Sequence, residues 1–146
     1  MREIDSQKIT DAVEQLCIKA CTILPDDIYC ALRDAKENEH NATAKQVLDY
    51  ILQNADTARQ KDMPICQDTG MAIVYVRLGQ DVHVSGGNLN EAINKGVANG
   101  YTKGRLRASI VYDPIERVNT KDNTPAVIHY EIVDGETLEI TLAQIG

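Results

Sequence analysis

No stretch of this 146-residue chain approaches the roughly 20 consecutive apolar residues that a membrane-spanning helix requires. Met1 to Asp5 lead into a charged segment without the apolar core of a secretory signal, so the expected compartment is the cytoplasm. Positive charge is also scarce: 15 Lys and Arg stand against 22 Asp and Glu, a formal net charge of −7. That balance argues against nonspecific attraction to nucleic acid or to an anionic membrane surface, and neither is an expected partner. Any site for an anion must be built locally, and the compact basic cluster is Lys103, Arg105 and Arg107.

Cysteine is sparse, with Cys17, Cys21, Cys30 and Cys66 forming no CxxC pair. In a reducing compartment they are expected to be thiols or ligands rather than disulfides. Cys17 and Cys21 fall four apart on an apolar helical face and are expected to pack, as is Cys30. No histidine or second cysteine lies at metal-ligand spacing from Cys66, which disfavours a mononuclear zinc site. Nucleotide motifs are missing too, and Ser85 Gly86 Gly87 reads as an ordinary strand-to-helix turn. There is no internal repeat, low-complexity tract or linker.

What is present divides in two. Ile9, Val13, Leu16, Cys17, Ala20 and Leu24 recur at spacings of three and four, predicting a helix from Asp5 or Ser6 until Pro25 interrupts it. Asp26 or Asp27 can cap a second helix carrying Ile28, Ala31, Leu32 and Ala35. Asn41 can cap a third carrying Ala44, Val47, Leu48, Ile51, Leu52, Ala55 and Ala58. Beyond residue 62 the pattern changes. Met71 to Leu78 reads as a buried strand, Val82 to Val84 as a short strand, and Leu89 to Gly100 or Gly104 as a helix; Ile110 and Val111 suggest a further strand. Ala126 to Val133 and Glu136 to Leu142 flank Asp134 Gly135, the signature of a type I′ turn, and are expected to pair antiparallel. The expected class is α+β: a helical layer of three helices over residues 1–62, then a site-bearing mixed α/β segment over 63–146 with a carboxy-terminal antiparallel hairpin.

Between the two parts lies Pro64 Ile65 Cys66 Gln67 Asp68 Thr69 Gly70, which sets a thiol, an amide and a carboxylate on consecutive residues. Pro64 stiffens the entry and Gly70 permits a positive φ at the exit. Gln67 can bind a carboxylate without adding charge, while Asp68 can move a proton or cap local backbone amides in an Asx turn. Arg107 can grip a carboxylate through two parallel hydrogen bonds; Arg105 shares its side only if the backbone is extended. Arg117, Asn119, Thr120, Asp122, Asn123 and Thr124 form a polar loop of turn formers, and His129 in an alternating strand reads as a packed or edge residue.

Taken with LRASIVYDP at Leu106 to Pro114 and RVNTKDNTPAVIH at Arg117 to His129, the heptapeptide resembles the amino-terminal part of iron–sulfur-dependent class I fumarases and of tartrate dehydratase alpha subunits. The resemblance implies a hydro-lyase that reversibly dehydrates a 2-hydroxydicarboxylate, malate to fumarate or alternatively tartrate to oxaloacetate, with a [4Fe-4S] cluster as Lewis acid. It implies Cys66 as one of three cluster ligands, the other two lying outside this chain. By the same resemblance Gln67, Arg107 and secondarily Arg105 bind substrate, Asp68 does acid–base work, Thr69 supports the loop, and Asn119 and Asp122 orient the site. The implied partners are a small dicarboxylate, a carboxy-terminal domain or separate beta subunit, and further copies in a homo- or hetero-oligomer. The chain stops directly after a strand, where the family continues with a glycine-rich and cysteine-bearing stretch, so a truncated, inactive amino-terminal portion is expected. A reading of another class is a noncatalytic partner or fold unit in which Cys66 is a loop thiol.

Overall fold

The computed structural model describes residues 1–145. Along the chain run β1 (Arg2–Asp5), α1 (Ser6–Thr22), α2 (Asp26–Asn38), α3 (Ala42–Lys61), β2 (Met71–Gly79), β3 (Val82–Ser85), α4 (Leu89–Lys103), β4 (Val127–Val133) and β5 (Leu138–Ile145). The class is α+β, as its periodicities predict. Strand β1 was not anticipated; it pairs parallel with β3, from Arg2 opposite Val82 to Asp5 opposite Ser85. None of the helices among the described residues is long and apolar enough to cross a membrane.

Two compact units divide the chain, one made of Met1–Ala20 and the residues from Asp68 onward, the other of Cys21–Gln67. The smaller unit is built on α2 and α3. Asn41 caps α3 as its sequence suggests, accepting the Thr43 and Ala44 N–H groups. Helix α2 differs: its N-cap is Pro25, and Asp26 and Asp27 lie inside the first turn, where they complement the helix dipole without a side-chain cap. Tyr29 bonds Asp56 and Lys36 pairs with Asp49, so the two helices run antiparallel. Leu52, Ala55 and Ala58 are buried on α3, while Val47, Tyr50 and Ile51 stay exposed. Helix α2 buries no residue at all, and Cys30 on it is exposed rather than packed.

The larger unit is organised around β2, whose alternate residues Ala72, Val74 and Val76 are buried. Ile9, Val13 and Cys17 of α1 and Ile93, Val97 and Tyr101 of α4 complete its core. Helix α4 can approach α1 closely because positions 96 and 100 lack a Cβ: one at 96 would meet the Thr10 carbonyl oxygen at 2.7 Å, and one at 100 the Cys17 Cβ at 2.6 Å. Cys17 therefore packs, as its helical spacing implies. The opposite face of β2 is open, so the strand is half-buried rather than buried. There Tyr75 stacks on His129 with ring centroids 5.2 Å apart, and Arg77 bonds Glu131 and Glu139 on the two flanking strands at 3.0 and 3.1 Å.

The expected carboxy-terminal hairpin is not formed. The sheet order is β4-β2-β5: β2 pairs parallel with β4, Val74 opposite Ile128, and antiparallel with β5, Val74 opposite Leu142. With β2 between them, β4 and β5 stand two strand spacings apart, about 10 Å, which a two-residue type I′ turn does not span. Gly135 does adopt a positive φ of 92°, but Asp134 does not, and residues 134–137 wrap around the end of β2. Ile110 and Val111 likewise form no strand; Val111 makes an isolated bridge to Asn119. Its surroundings hold Arg117, Lys121 and Asn123 at positive φ, a geometry that cannot continue a ladder.

Candidate active site

The heptapeptide begins in the smaller unit. Asp62 turns left-handed (φ 49°) to end α3 and caps it on Ala58. Ile65 is then fastened at both of its backbone groups, its N–H donating to the Cys21 carbonyl at 2.9 Å and its own carbonyl accepting from Asn54 Nδ2 at 2.9 Å. Cys66 and Gln67 follow this anchor and are exposed, with Cys66 Sγ 3.7 Å from Gln67 Oε1. An exposed thiol is the donor type an iron–sulfur cluster takes. Among the described residues no group of three or more His, Cys, Asp or Glu side chains is arranged to hold a metal.

Asp68 opens the second passage of the larger unit, and here the structure is denser. Asp68 Oδ1 accepts the Gly70 N–H at 3.2 Å, the Asx turn that its sequence allows. Arg107 Nη1 lies 3.7 Å from the same oxygen, with its own side chain 61% and that of Asp68 44% exposed. Thr69 Oγ1 donates to the Arg107 carbonyl at 3.1 Å. The Tyr101 hydroxyl reaches the Thr69 and Gly70 carbonyls at 3.0 and 2.9 Å. Asn123 Oδ1 accepts the Ser109 and Ile110 N–H groups at 2.6 and 3.1 Å, and its Nδ2 donates to the Gly70 carbonyl at 3.0 Å. The fold thus brings Asp68 and Arg107 together on two loops that are laced by hydrogen bonds from side chains to backbone.

Asn119 and Asp122 serve the same loop in a smaller way. Asn119 Nδ2 donates to the Ala108 carbonyl at 2.9 Å, and Asp122 Oδ1 accepts from the Thr124 hydroxyl at 2.8 Å. Asp113 Oδ1 accepts the Ile115 and Glu116 N–H groups, and these backbone donors hold its carboxyl below the usual range. The residues that sequence reasoning passed over are Tyr101 and Asn123. Tyr101 follows Val97 by four on the apolar stripe of α4 and reads as core; Asn123 sits among five other turn formers. Neither position carries a local signal for its distant partners.

The basic cluster does not act as one group. Lys103 Nζ lies 2.8 Å from both carboxylate oxygens of Glu14 on α1, which commits that cation to the helix packing. Arg105 takes a left-handed φ of 52° directly after α4, so the extended backbone that would align it with Arg107 is absent. Leu106 between them is buried, and Arg107 is paired with Asp68.

These loops belong to a known class of protein. The model of the fumarate hydratase (Fumerase) family matches residues 10–146, and the chain belongs to that family. It is 38% identical over 111 residues to the anaerobic class I fumarate hydratase of Escherichia coli K12, covering 75% of this chain and 20% of that protein. To the aerobic class I fumarate hydratase of Salmonella typhimurium it is 39% identical over 107 residues, 72% of this chain and 18% of that one. The L(+)-tartrate dehydratase subunit alpha of Escherichia coli UTI89 is 28% identical over 143 residues, 95% of this chain and 46% of that subunit. The chain therefore spans less than half the length of each of these relatives.

Proposed function

We propose that this chain is the amino-terminal part of a [4Fe-4S]-dependent hydro-lyase that interconverts malate and fumarate. The observation that carries the reading is the Asp68–Arg107 pair, a carboxylate and a guanidinium 3.7 Å apart and both open to solvent. An exposed ion pair of this length contributes at most about 1 kcal/mol, so exchanging it for a contact to substrate costs little. Arg107 grips one substrate carboxylate through two parallel hydrogen bonds. Gln67 offers its amide to a carboxylate, with Arg105 in a lesser role as a nearby cation. Asp68 exchanges a proton with the substrate hydroxyl, its orientation kept by the Gly70 N–H. Cys66 supplies one of three thiolates to the cluster, and the remaining two come from sequence beyond this chain. When bound, the cluster contributes a Lewis acid that polarises the hydroxyl.

The base for the carbon-bound proton, the rest of the substrate pocket and the partner surface belong to a carboxy-terminal domain or a separate beta subunit. The working compartment is the cytoplasm. A second reading, the alpha subunit of an L(+)-tartrate dehydratase, is supported by the 28% identity over 143 residues to a subunit of that name. Turnover of malate against tartrate by the full-length protein or assembly separates the two. Anaerobic reconstitution with iron and sulfide tests the ligand: the charge-transfer absorption of the cluster is expected in the natural protein and lost in Cys66→Ser. Absorption retained in that variant would remove Cys66 from the ligand set.

A further inference from the structure

We propose that Asn123 is the positioning residue that sets Asp68 and Arg107 against each other. Asn123 is wholly buried, 0% exposed, with a left-handed φ of 62°. Its amide works at both ends. Through Nδ2 it holds the Gly70 carbonyl at 3.0 Å, and the N–H of the same glycine is the donor that orients the Asp68 carboxylate. Through Oδ1 it holds the N–H groups of Ser109 and Ile110, two and three residues past Arg107. A single planar group therefore fixes the Asp68 loop and the Arg107 loop to one another. Thr69 Oγ1 on the Arg107 carbonyl is a second tie between the same loops.

Asparagine alone meets the three demands of the position. Its short polar side chain tolerates the left-handed backbone, its carbonyl oxygen has two lone pairs for two N–H groups, and its NH₂ supplies the donor. The orientation of the amide follows from its partners, since the reverse would set NH₂ against two N–H donors and an oxygen against a carbonyl. Aspartate keeps the acceptor and loses the donor. Glycine keeps the backbone and loses both.

That Asp68 and Arg107 act on substrate is the reading proposed above, and the experiment separates its failure from the failure of this one. In the full-length enzyme, Asn123→Asp and Asn123→Gly are compared by amide hydrogen exchange over residues 68–71 and 107–110 and by steady-state kinetics on malate. Asn123→Asp is expected to speed exchange at least tenfold around Gly70 while Ser109 and Ile110 stay protected. Asn123→Gly is expected to speed it in both segments. Each should raise KM for malate at least tenfold, with a smaller change in kcat and with cluster absorption retained, a split that general loosening of the fold does not produce. Unchanged exchange in both variants overturns the proposal. So does normal KM in both variants when Arg107→Lys and Asp68→Asn are impaired. If those two substitutions are themselves silent, it is the assignment of Asp68 and Arg107 to the substrate that fails, and the exchange data alone decide the role of Asn123.

Discussion

Gly79, the last residue of β2, sits against Gly135: a Cβ at position 79 would lie 2.3 Å from the Gly135 carbonyl oxygen. The contact arises because the end of β2 enters the connection between β4 and β5. Gly79 N–H donates to the Thr137 carbonyl at 2.7 Å, Gln80 N–H to Val133 at 2.9 Å and Asp81 N–H to Gly135 at 3.0 Å. Backbone that is hydrogen-bonded on this scale cannot simply step aside. Gly79→Ala is expected to lower stability by about 1–3 kcal/mol, the usual cost of overpacking, read as a shift in the urea midpoint. An unchanged midpoint would mean that the 134–137 connection yields freely and does not clamp the strand.

Asp68 and Arg107 should respond differently to substitution. In the proposed mechanism Asp68→Asn removes proton transfer while keeping the Gly70 N–H contact, so kcat in the full-length enzyme is expected to fall about 10²–10⁴-fold. Arg107→Lys keeps the charge and loses the paired hydrogen bonds, so the loss should appear mainly in KM, about tenfold or more, equivalent to about 1.4 kcal/mol. Steady-state kinetics on malate and fumarate measure both. Equal effects of the two substitutions on KM and kcat would argue against separate roles.

Lys103 is predicted to matter for folding and not for substrate. Its partner Glu14 is nearly buried, with a side chain 10% exposed, whereas Lys103 itself is 62% exposed. Lys103→Met strands that carboxylate against the α1–α4 packing, and the expected cost, discounted for solvent screening, is about 1 kcal/mol. KM for the dicarboxylate should stay unchanged. A raised KM with unaltered stability would return Lys103 to the anion site.

Acid should loosen the α2–α3 pair through Asp49. The hydrogen bond from Lys36, helped by its charge and by Gln53, holds the Asp49 carboxyl below its ordinary value. A depressed folded-state pKa contributes stability that is present above the unfolded value, about 4, and is lost as pH falls through the folded one. Amide exchange across α2 and α3 is therefore expected to accelerate below about pH 4. In Lys36→Met this acid-dependent step should shrink. An identical acid profile in the two proteins would show that other carboxylates govern it.

Much of the architecture was legible because its causes are local. The start of α3 follows from the Asn41 side chain bonding residues two and three ahead, and the extent of α1 from apolar spacing on one helix. The heptapeptide pointed to the loop that carries Cys66, Gln67 and Asp68, and Arg107 was singled out by its planar fork and its place in the Leu106–Pro114 run. The loss of Cys30 from the expected core has a different origin: whether a helix face is covered depends on what the remainder of the chain lays over it.

By itself the sequence determined most of the elements, the α+β class, the family and the identity of the polar side chains that the loops present. Only the tertiary structure decided which strand lies between β4 and β5, which cation meets Asp68, and that Asn123 reaches back 53 residues to Gly70 and so joins the Asp68 loop to the Arg107 loop. A turn preference at Asp134 and Gly135 is a local effect of order 1 kcal/mol, and it yields when β2 satisfies its backbone groups along both edges and buries Ala72, Val74 and Val76. Long-range hydrogen bonds leave no periodicity behind them, so their partners become visible only once the chain has closed on itself.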